Sequence, residues 1–239
     1  MSPSDILNFR EVCPWARDRL AAGRLFRSSS LAQLTPAQIR RIVDTGIATY
    51  VDLRSDGEIS RDGAPQGLLD AGVEWIHVPL GDYDRSRVAE GKPSSADYLA
   101  SYLSMASECG PGLALALRTI AERGERPVVL GCQTGKDRTG VVVALVLESL
   151  GIPRSLVARD YAGSGPALRE GLDRLQHHWI RRGLSRQEYA ERLETPPSVL
   201  HEFLSALDRR PGGPMGVVLQ GGLGLAEIDA LRERLRGEG

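Results

Sequence analysis

The chain has 239 residues, 41% hydrophobic and 26% charged, the composition of a globular protein with enough length for a sizeable core in one large or two small domains. A net charge of −1 excludes a nucleic-acid binder that works through a globally basic surface, so an anionic partner must be held by a local arrangement. Three cysteines without C-x-x-C spacing (Cys13, Cys109, Cys132) exclude a disulfide framework or a cysteine zinc site, and no apolar run approaches the roughly 18 residues of a membrane span.

The opening Met1-Ser2-Pro3-Ser4-Asp5 carries no basic region followed by an apolar stretch, so no secretory signal is visible. A reducing, cytoplasmic setting without stable membrane insertion is the expectation. The histidines (His77, His177, His178, His201) lack metal-motif spacing, and the adjacent pair would diverge by about 100° on a helix, so no metal is expected.

In chain order, Arg24–Ser29 reads as a short strand running into a turn. A helix follows, announced by Thr35 as N-cap, Pro36 at the first position and Gln38 closing a capping box, with Leu34 and Ile39 as a hydrophobic staple. It stops at Gly46. Ile47–Leu53 and Val73–Leu80 read as strands rich in β-formers, the second ending in the polar stretch Gly81–Ser95, long enough to fold over a site. Two amphipathic helices come next. Tyr98, Tyr102 and Met105/Ala106 share a face of the first, and Leu113, Leu117, Ile120 and Ala121 a face of the second. The apolar strand Pro127–Leu130 enters Gly131, and Thr139–Leu150 reads as a buried helix capped by Gly151.

Alternating strands and helices over the first 150 residues predict an α/β fold with a central, mainly parallel sheet flanked by helices. The remainder reads as a helical C-terminal portion. A capping box opens at Ser185, a helix starts at Thr195-Pro196, residues 211–216 form a loop, and Leu225–Leu235 is a final amphipathic helix. No long polar linker separates the halves, so residues 1–239 are expected to form one domain.

The chemistry concentrates in Gly131-Cys132-Gln133-Thr134-Gly135-Lys136-Asp137-Arg138-Thr139-Gly140. A strand that ends in a glycine-containing turn and runs into a helix start presents successive N–H groups and a positive dipole end, a cradle for a tetrahedral dianion. The same field favours the thiolate of a cysteine at its base. Arg138 can return as a two-pronged donor to phosphoryl oxygens, and Thr139 can donate to the sulfur. A buried apolar role for Cys132 alone leaves the surrounding Gly, Lys, Asp, Arg and Thr-Gly unexplained. A nucleotide-binding P-loop fails on spacing, because Gly131-x-x-x-Gly135-Lys136 is one residue short and Asp137 replaces the magnesium-binding hydroxyl.

These residues resemble the signature of the cysteine-dependent protein tyrosine phosphatase superfamily, H-C-x5-R-[ST]. More narrowly they are similar to the bacterial tyrosine/phosphoinositide phosphatases with the H-C-x-x-G-K-D-R-T-G loop. Asn8-Phe9-Arg10-Glu11, Gly23–Ser29, Val51-Asp52-Leu53-Arg54-Ser55, Ala158–Tyr161 and Leu223-Gly224-Leu225 extend the likeness. The resemblance implies a tyrosine-phosphatase-like fold and a cofactor-free phosphomonoester hydrolase acting on phosphotyrosine, phosphoinositides or a small phosphomonoester. In this reading Cys132 is the nucleophile and Arg138 the phosphate-binding arginine. Gln133, Thr134, Gly135, Lys136, Asp137 and Thr139 complete the phosphate site, with Lys136 adding charge at its rim. Asp137 and Asp52 are the candidate general acids, with Asp82 and Asp84 in reserve should the 81–95 loop close. Arg27 and Arg54 are possible substrate contacts, although Asp52-Leu53-Arg54 can equally be an internal ion pair. The chain departs from the family at Gly131, where a histidine is usual, and restoring that histidine is expected to raise turnover. A weakly active or inactive phosphate-binding module remains the alternative.

Overall fold

A computed structural model describes residues 5–81, 83–89 and 92–236. In chain order the elements are β1 (Arg10–Glu11), β2 (Leu25–Ser28), α1 (Pro36–Asp44), β3 (Thr49–Asp52), α2 (Asp56–Asp62), α3 (Gln66–Asp70), β4 (Glu74–His77), α4 (Ser86–Ala89), α5 (Ser95–Glu108), α6 (Gly110–Arg123), β5 (Val128–Gly131) and α7 (Asp137–Ser149). The helical remainder comprises α8 (Arg154–Ala162), α9 (Ser164–Glu170), a 3-10 turn over Leu172–Leu175, α10 (Gln176–Arg181), α11 (Arg186–Arg192), α12 (Pro197–Asp208), α13 (Gly213–Gln220) and α14 (Leu225–Arg236).

The five strands form one sheet in the order β1-β2-β5-β3-β4, antiparallel only between β1 and β2. The chain thus has the expected α/β class. Successive strand residues face opposite sides, and apolar side chains fill both. Leu25, Val51, Val128 and Leu130 belong to the larger core shared with α5, α6 and α7, whereas Tyr50 and Val129 join Ile42 of α1 and Leu68 of α3 on the other face. Helix α7 is apolar around most of its circumference and correspondingly buried from Arg138 to Leu147. It follows β5, the central strand, so the β5–α7 loop lies at the carboxyl edge of a parallel sheet, where strand ends open a crevice.

Local signals account for several boundaries. The Thr35–Gln38 capping box starts α1, and Gly46, at φ 78°, ends it. Capping boxes at Ser55–Glu58, Ser94–Asp97 and Ser185–Glu188 start α2, α5 and α11. Two expectations are corrected. Residues 211–216 are not all loop: Gly212 turns the chain at φ 78°, Pro214 sits in the first helical turn, and α13 packs on α6. Thr195 does not cap a helix. Its hydroxyl donates to the Ala162 carbonyl and accepts from the Gly165 N–H, both at 2.9 Å, and α12 begins at Pro197 without a side-chain cap. A further apolar cluster of Leu168, Leu172, Leu175, Trp179, Tyr189 and Leu193 holds α9 to α11 beside the β5–α7 loop.

Candidate active site

Residues 132–136 turn from β5 into α7, and the carbonyls of 133–136 are tied to the surrounding protein. The Asn8 amide donates to the Thr134 and Gly135 carbonyls at 3.0 Å each, and the Arg27 guanidinium donates to the Gly135 carbonyl at 2.8 Å. Gly135 is required. Its φ is 66°, and a Cβ there would lie 2.1 Å from the Ser28 carbonyl oxygen. Among the described residues the N–H groups of 133–137 donate no hydrogen bond within the protein. Carbonyls bonded and N–H groups left free, at the head of a 13-residue helix, suit the turn to an anion.

The cradle floors a cleft of about 420 Å³ whose lining includes Cys132, Gln133, Thr134, Lys136, Asp137 and Arg138. Cys132 lies at its base, 2% exposed. Tyr83, Tyr98 and Tyr189 also line it, together with the exposed Arg85 and Arg182 and the buried Arg192. Of these, Arg85 and Arg182 form no salt bridge with a carboxylate among the described residues.

Arg138 is held by Glu58, a residue not singled out from the sequence that also lines the cleft. Its two Nη groups meet the Glu58 carboxylate at 2.5 and 2.8 Å, and Nη1 also reaches the Leu53 carbonyl at 3.3 Å. Burial pushes the Glu58 carboxyl up, but the Arg138 hydrogen bonds and charge, with the Ser55 N–H, outweigh it and hold the group down to about 2. The signal was present: Ser55-Asp56-Gly57-Glu58 is a capping box, and the carboxylate that closes it is the one that meets Arg138.

Asp137 opens α7 and faces the cleft, its side chain 32% exposed. The Tyr102 hydroxyl donates to its Oδ1 at 2.6 Å and is 2.7 Å from the Tyr161 hydroxyl. Because Tyr102 gives its proton to Asp137, Tyr161 must donate to Tyr102, so the carboxylate ends a directed chain. Lys136 departs from the rim placement. It is 2% exposed, its ammonium sits 4.1 Å over the Tyr98 ring, and it donates to the Arg192 carbonyl at 2.7 Å. Burial opposes its charge, but Asp137 and Tyr98 more than compensate and keep it protonated.

Several expected site residues lie elsewhere. Asp52 is fully buried, with its carboxylate closed by Arg54 at 2.7–3.1 Å and by the Trp75 indole at 3.2 Å, and it does not line the cleft. The pair Asp52–Arg54 is therefore internal, and neither a general-acid role for Asp52 nor a substrate contact for Arg54 fits. Arg27 is likewise buried, pairing with Asp160 at 2.5 Å while it supports the loop carbonyls. It braces the loop from outside and does not reach the cleft. Asp84 accepts from the Ser86 N–H at 2.8 Å and lines no part of the cleft, and Asp82 lies outside the described residues. The Gln133 side chain turns away from the cradle to His178, 3.2 Å distant, where burial, His177 and Arg181 hold the imidazole down to about 3 and so neutral. The Thr139 hydroxyl is buried without a hydrogen-bond partner. Gly131 has no room for histidine: a Cβ would lie 2.9 Å from Tyr50 Cε2 and 3.0 Å from the Ser29 carbonyl oxygen, so the expected gain from Gly131→His does not fit the site.

The model of the tyrosine phosphatase family matches residues 2–237. The chain is 32% identical over 189 residues to the triple specificity protein phosphatase PtpB of Mycobacterium tuberculosis, covering 67% of each. It is 25% identical over 224 residues to a tyrosine-protein phosphatase of Nostoc commune, covering 90% of this chain and 75% of that one. The crystal structure of P. aeruginosa TpbA aligns with 91% of this chain and 98% of its own, at 16% identity and a TM-score of 0.39.

Proposed function

Because the chain belongs to the tyrosine phosphatase family, we propose that it hydrolyses phosphomonoesters through a phosphocysteine formed on Cys132. The observation that carries this reading is the alignment of Cys132, at the base of a ring of unpartnered N–H groups, with an Arg138 fork fixed by Glu58.

In the first step the Cys132 thiolate attacks phosphorus in line and the bond to the leaving oxygen breaks. The N–H groups and Arg138 meet the charge on the equatorial oxygens. Asp137 gives its proton to the leaving oxygen. Its Oδ1 already accepts from Tyr102, so Oδ2 is the oxygen that carries the proton. In the second step Asp137 takes a proton from water, the hydroxide attacks the phosphocysteine, and the phosphorus–sulfur bond breaks to give inorganic phosphate. The free Thr139 hydroxyl supplies a hydrogen bond to the departing sulfur.

Phosphotyrosine is the proposed first substrate, since tyrosines line the cleft and can flank an aromatic ring. A phosphoinositide is the second reading, supported by the exposed Arg85 and Arg182 of the lining, which can take a further phosphate. Hydrolysis of p-nitrophenyl phosphate, of a phosphotyrosine peptide and of a soluble phosphoinositide tests both. Cys132→Ser should abolish all turnover while phosphate still binds. Turnover that survives Cys132→Ser would sink the mechanism, and phosphate binding without turnover in the parent would leave a binding module.

A further inference from the structure

Two buried tyrosines lead to the carboxylate of Asp137. Tyr102 comes from α5 and Tyr161 from α8, 1% and 0% exposed. Their rings meet edge to face with centroids 6.2 Å apart, and Phe203 of α12 packs the same way against Tyr102 at 6.1 Å. Packing on both sides fixes the Tyr102 ring, and with it the place of its oxygen. Phenylalanine at both positions would keep these contacts and leave no buried hydroxyl to satisfy. Packing therefore explains the rings and not the oxygens.

The oxygens form a string. The Tyr161 and Tyr102 hydroxyls are 2.7 Å apart, and Tyr102 donates to Asp137 Oδ1 at 2.6 Å. Its outer end is thus a residue that lines the cleft beside Cys132 and Arg138. Among the described residues no hydrogen bond ends on Oδ2, and the Asp137 side chain is 32% exposed. Burial first, and the Asp137 charge second, push the Tyr102 phenol up, so it stays a neutral donor. Burial does the same for Tyr161.

The other groups of the described residues that act on this carboxylate keep their charge state near neutral pH. Lys136, one residue back, holds its ammonium 3.6 Å from Oδ1. Burial opposes that charge, but Asp137 and Tyr98 outweigh it. Tyr98 of α5, Tyr83 ahead of α4 and Tyr189 of α11 are pushed up by burial and remain neutral. Arg192 of α11 is a cation.

We propose that Tyr102 is a positioning residue for Asp137, itself oriented by Tyr161: the string fixes one carboxylate oxygen and leaves the other to hold the proton for the leaving group. This rests on the reading of Asp137 as the general acid. A donor on Oδ1 also favours the charged carboxylate, so the string gives orientation at some expense of proton retention. Removing it must act in two opposite directions, which loss of a merely structural contact would not do.

Tyr102→Phe tests this. On a phosphotyrosine peptide, kcat at its pH optimum should fall about 10-fold, part of the 10²- to 10⁴-fold that a general acid supplies. An aryl phosphate whose leaving group needs no proton should slow much less. The basic limb of the kcat profile on the peptide, where the acid loses its proton, should move up by about one pH unit, the worth of a hydrogen bond to a charged group. Tyr161→Phe should give the same pattern in weaker form, and it carries the test if Tyr102→Phe does not fold. Added to Asp137→Asn, Tyr102→Phe should lower kcat on the peptide little further. The carboxyl-carbon resonance of Asp137, assigned through Asp137→Asn, should titrate at higher pH in Tyr102→Phe than in the parent, a readout that needs no turnover.

An unmoved resonance and an unmoved basic limb would overturn the proposal, as would equal losses on both substrates accompanied by a fall in Tm. Asp137→Asn separates the two readings. If it spares turnover of the peptide, the acid assignment fails and this inference with it. If it slows that turnover while Tyr102→Phe changes neither kcat nor the limb, the inference alone is refuted.

Discussion

Replacing Glu58 by glutamine keeps the shape beside Arg138 and removes its charge. The Glu58 carboxyl is held down from 4.5 to about 2, and its side chain is only 13% exposed, so little solvent screening applies. At about 1.4 kcal/mol per pH unit, that displacement corresponds to about 3 kcal/mol of folding free energy at neutral pH. A carboxyl lowered by folding stabilises fully above its unfolded value and loses that contribution as pH falls through the folded one. The window here runs from 4.5 down to about 2. The stability gap between parent and Glu58→Gln, from urea unfolding, should therefore be about 3 kcal/mol at pH 7 and shrink by roughly 2 kcal/mol at pH 3. Other carboxylates titrate in both proteins and cancel in the difference. Phosphate binding should weaken in parallel, and kcat/KM should fall roughly 10- to 100-fold as the guanidinium loses its fixed orientation. A gap independent of pH, or full activity in the variant, would refute the assignment of Glu58 as the anchor of Arg138.

Asp137→Asn should lower kcat by about 10²- to 10⁴-fold on phosphotyrosine and much less on an activated aryl phosphate whose leaving group needs no proton, as steady-state rates on the two substrates will show. Asp52→Asn should act on stability more than on chemistry. Leaving Arg54 buried without its partner should cost about 3–5 kcal/mol by thermal or urea unfolding, and a kcat effect larger than the stability effect would restore Asp52 to the candidate acids. Gly135→Ala places a methyl against the Ser28 carbonyl at positive φ and should abolish phosphate binding, measured by calorimetry, in any variant that still folds.

Much of this arrangement was legible from local chemistry. The strand–turn–helix at 127–150 could be read because apolar β-formers, a glycine-bearing turn and a helix start occupy consecutive positions, and backbone geometry follows such short-range signals. The short β1, with two residues, and the five-residue α3 carry too little periodicity to be read. Helix α2 went unread although Ser55 and Glu58 form a capping box, and such a box says nothing about what else its carboxylate will meet. Asp52 and Arg54 look like site residues because they follow a strand end. Their two-residue spacing instead lets them close on each other, and only the packed Trp75 beside them shows that the carboxylate is spoken for.

The sequence by itself determined the α/β class and the strand–glycine turn–helix that carries Cys132, Asp137 and Arg138, because those depend on residues adjacent in the chain. Tertiary structure alone decided which charges reach the cleft. Lys136 turns inward to the Arg192 carbonyl, Arg27 braces the turn from outside, and Glu58 arrives from 80 positions away to grip Arg138. It also decided how little room residue 131 has, since Tyr50 meets Gly131 only through the register of two parallel strands far apart in sequence. Contacts of that kind depend on which elements pack together, and no local pattern encodes them.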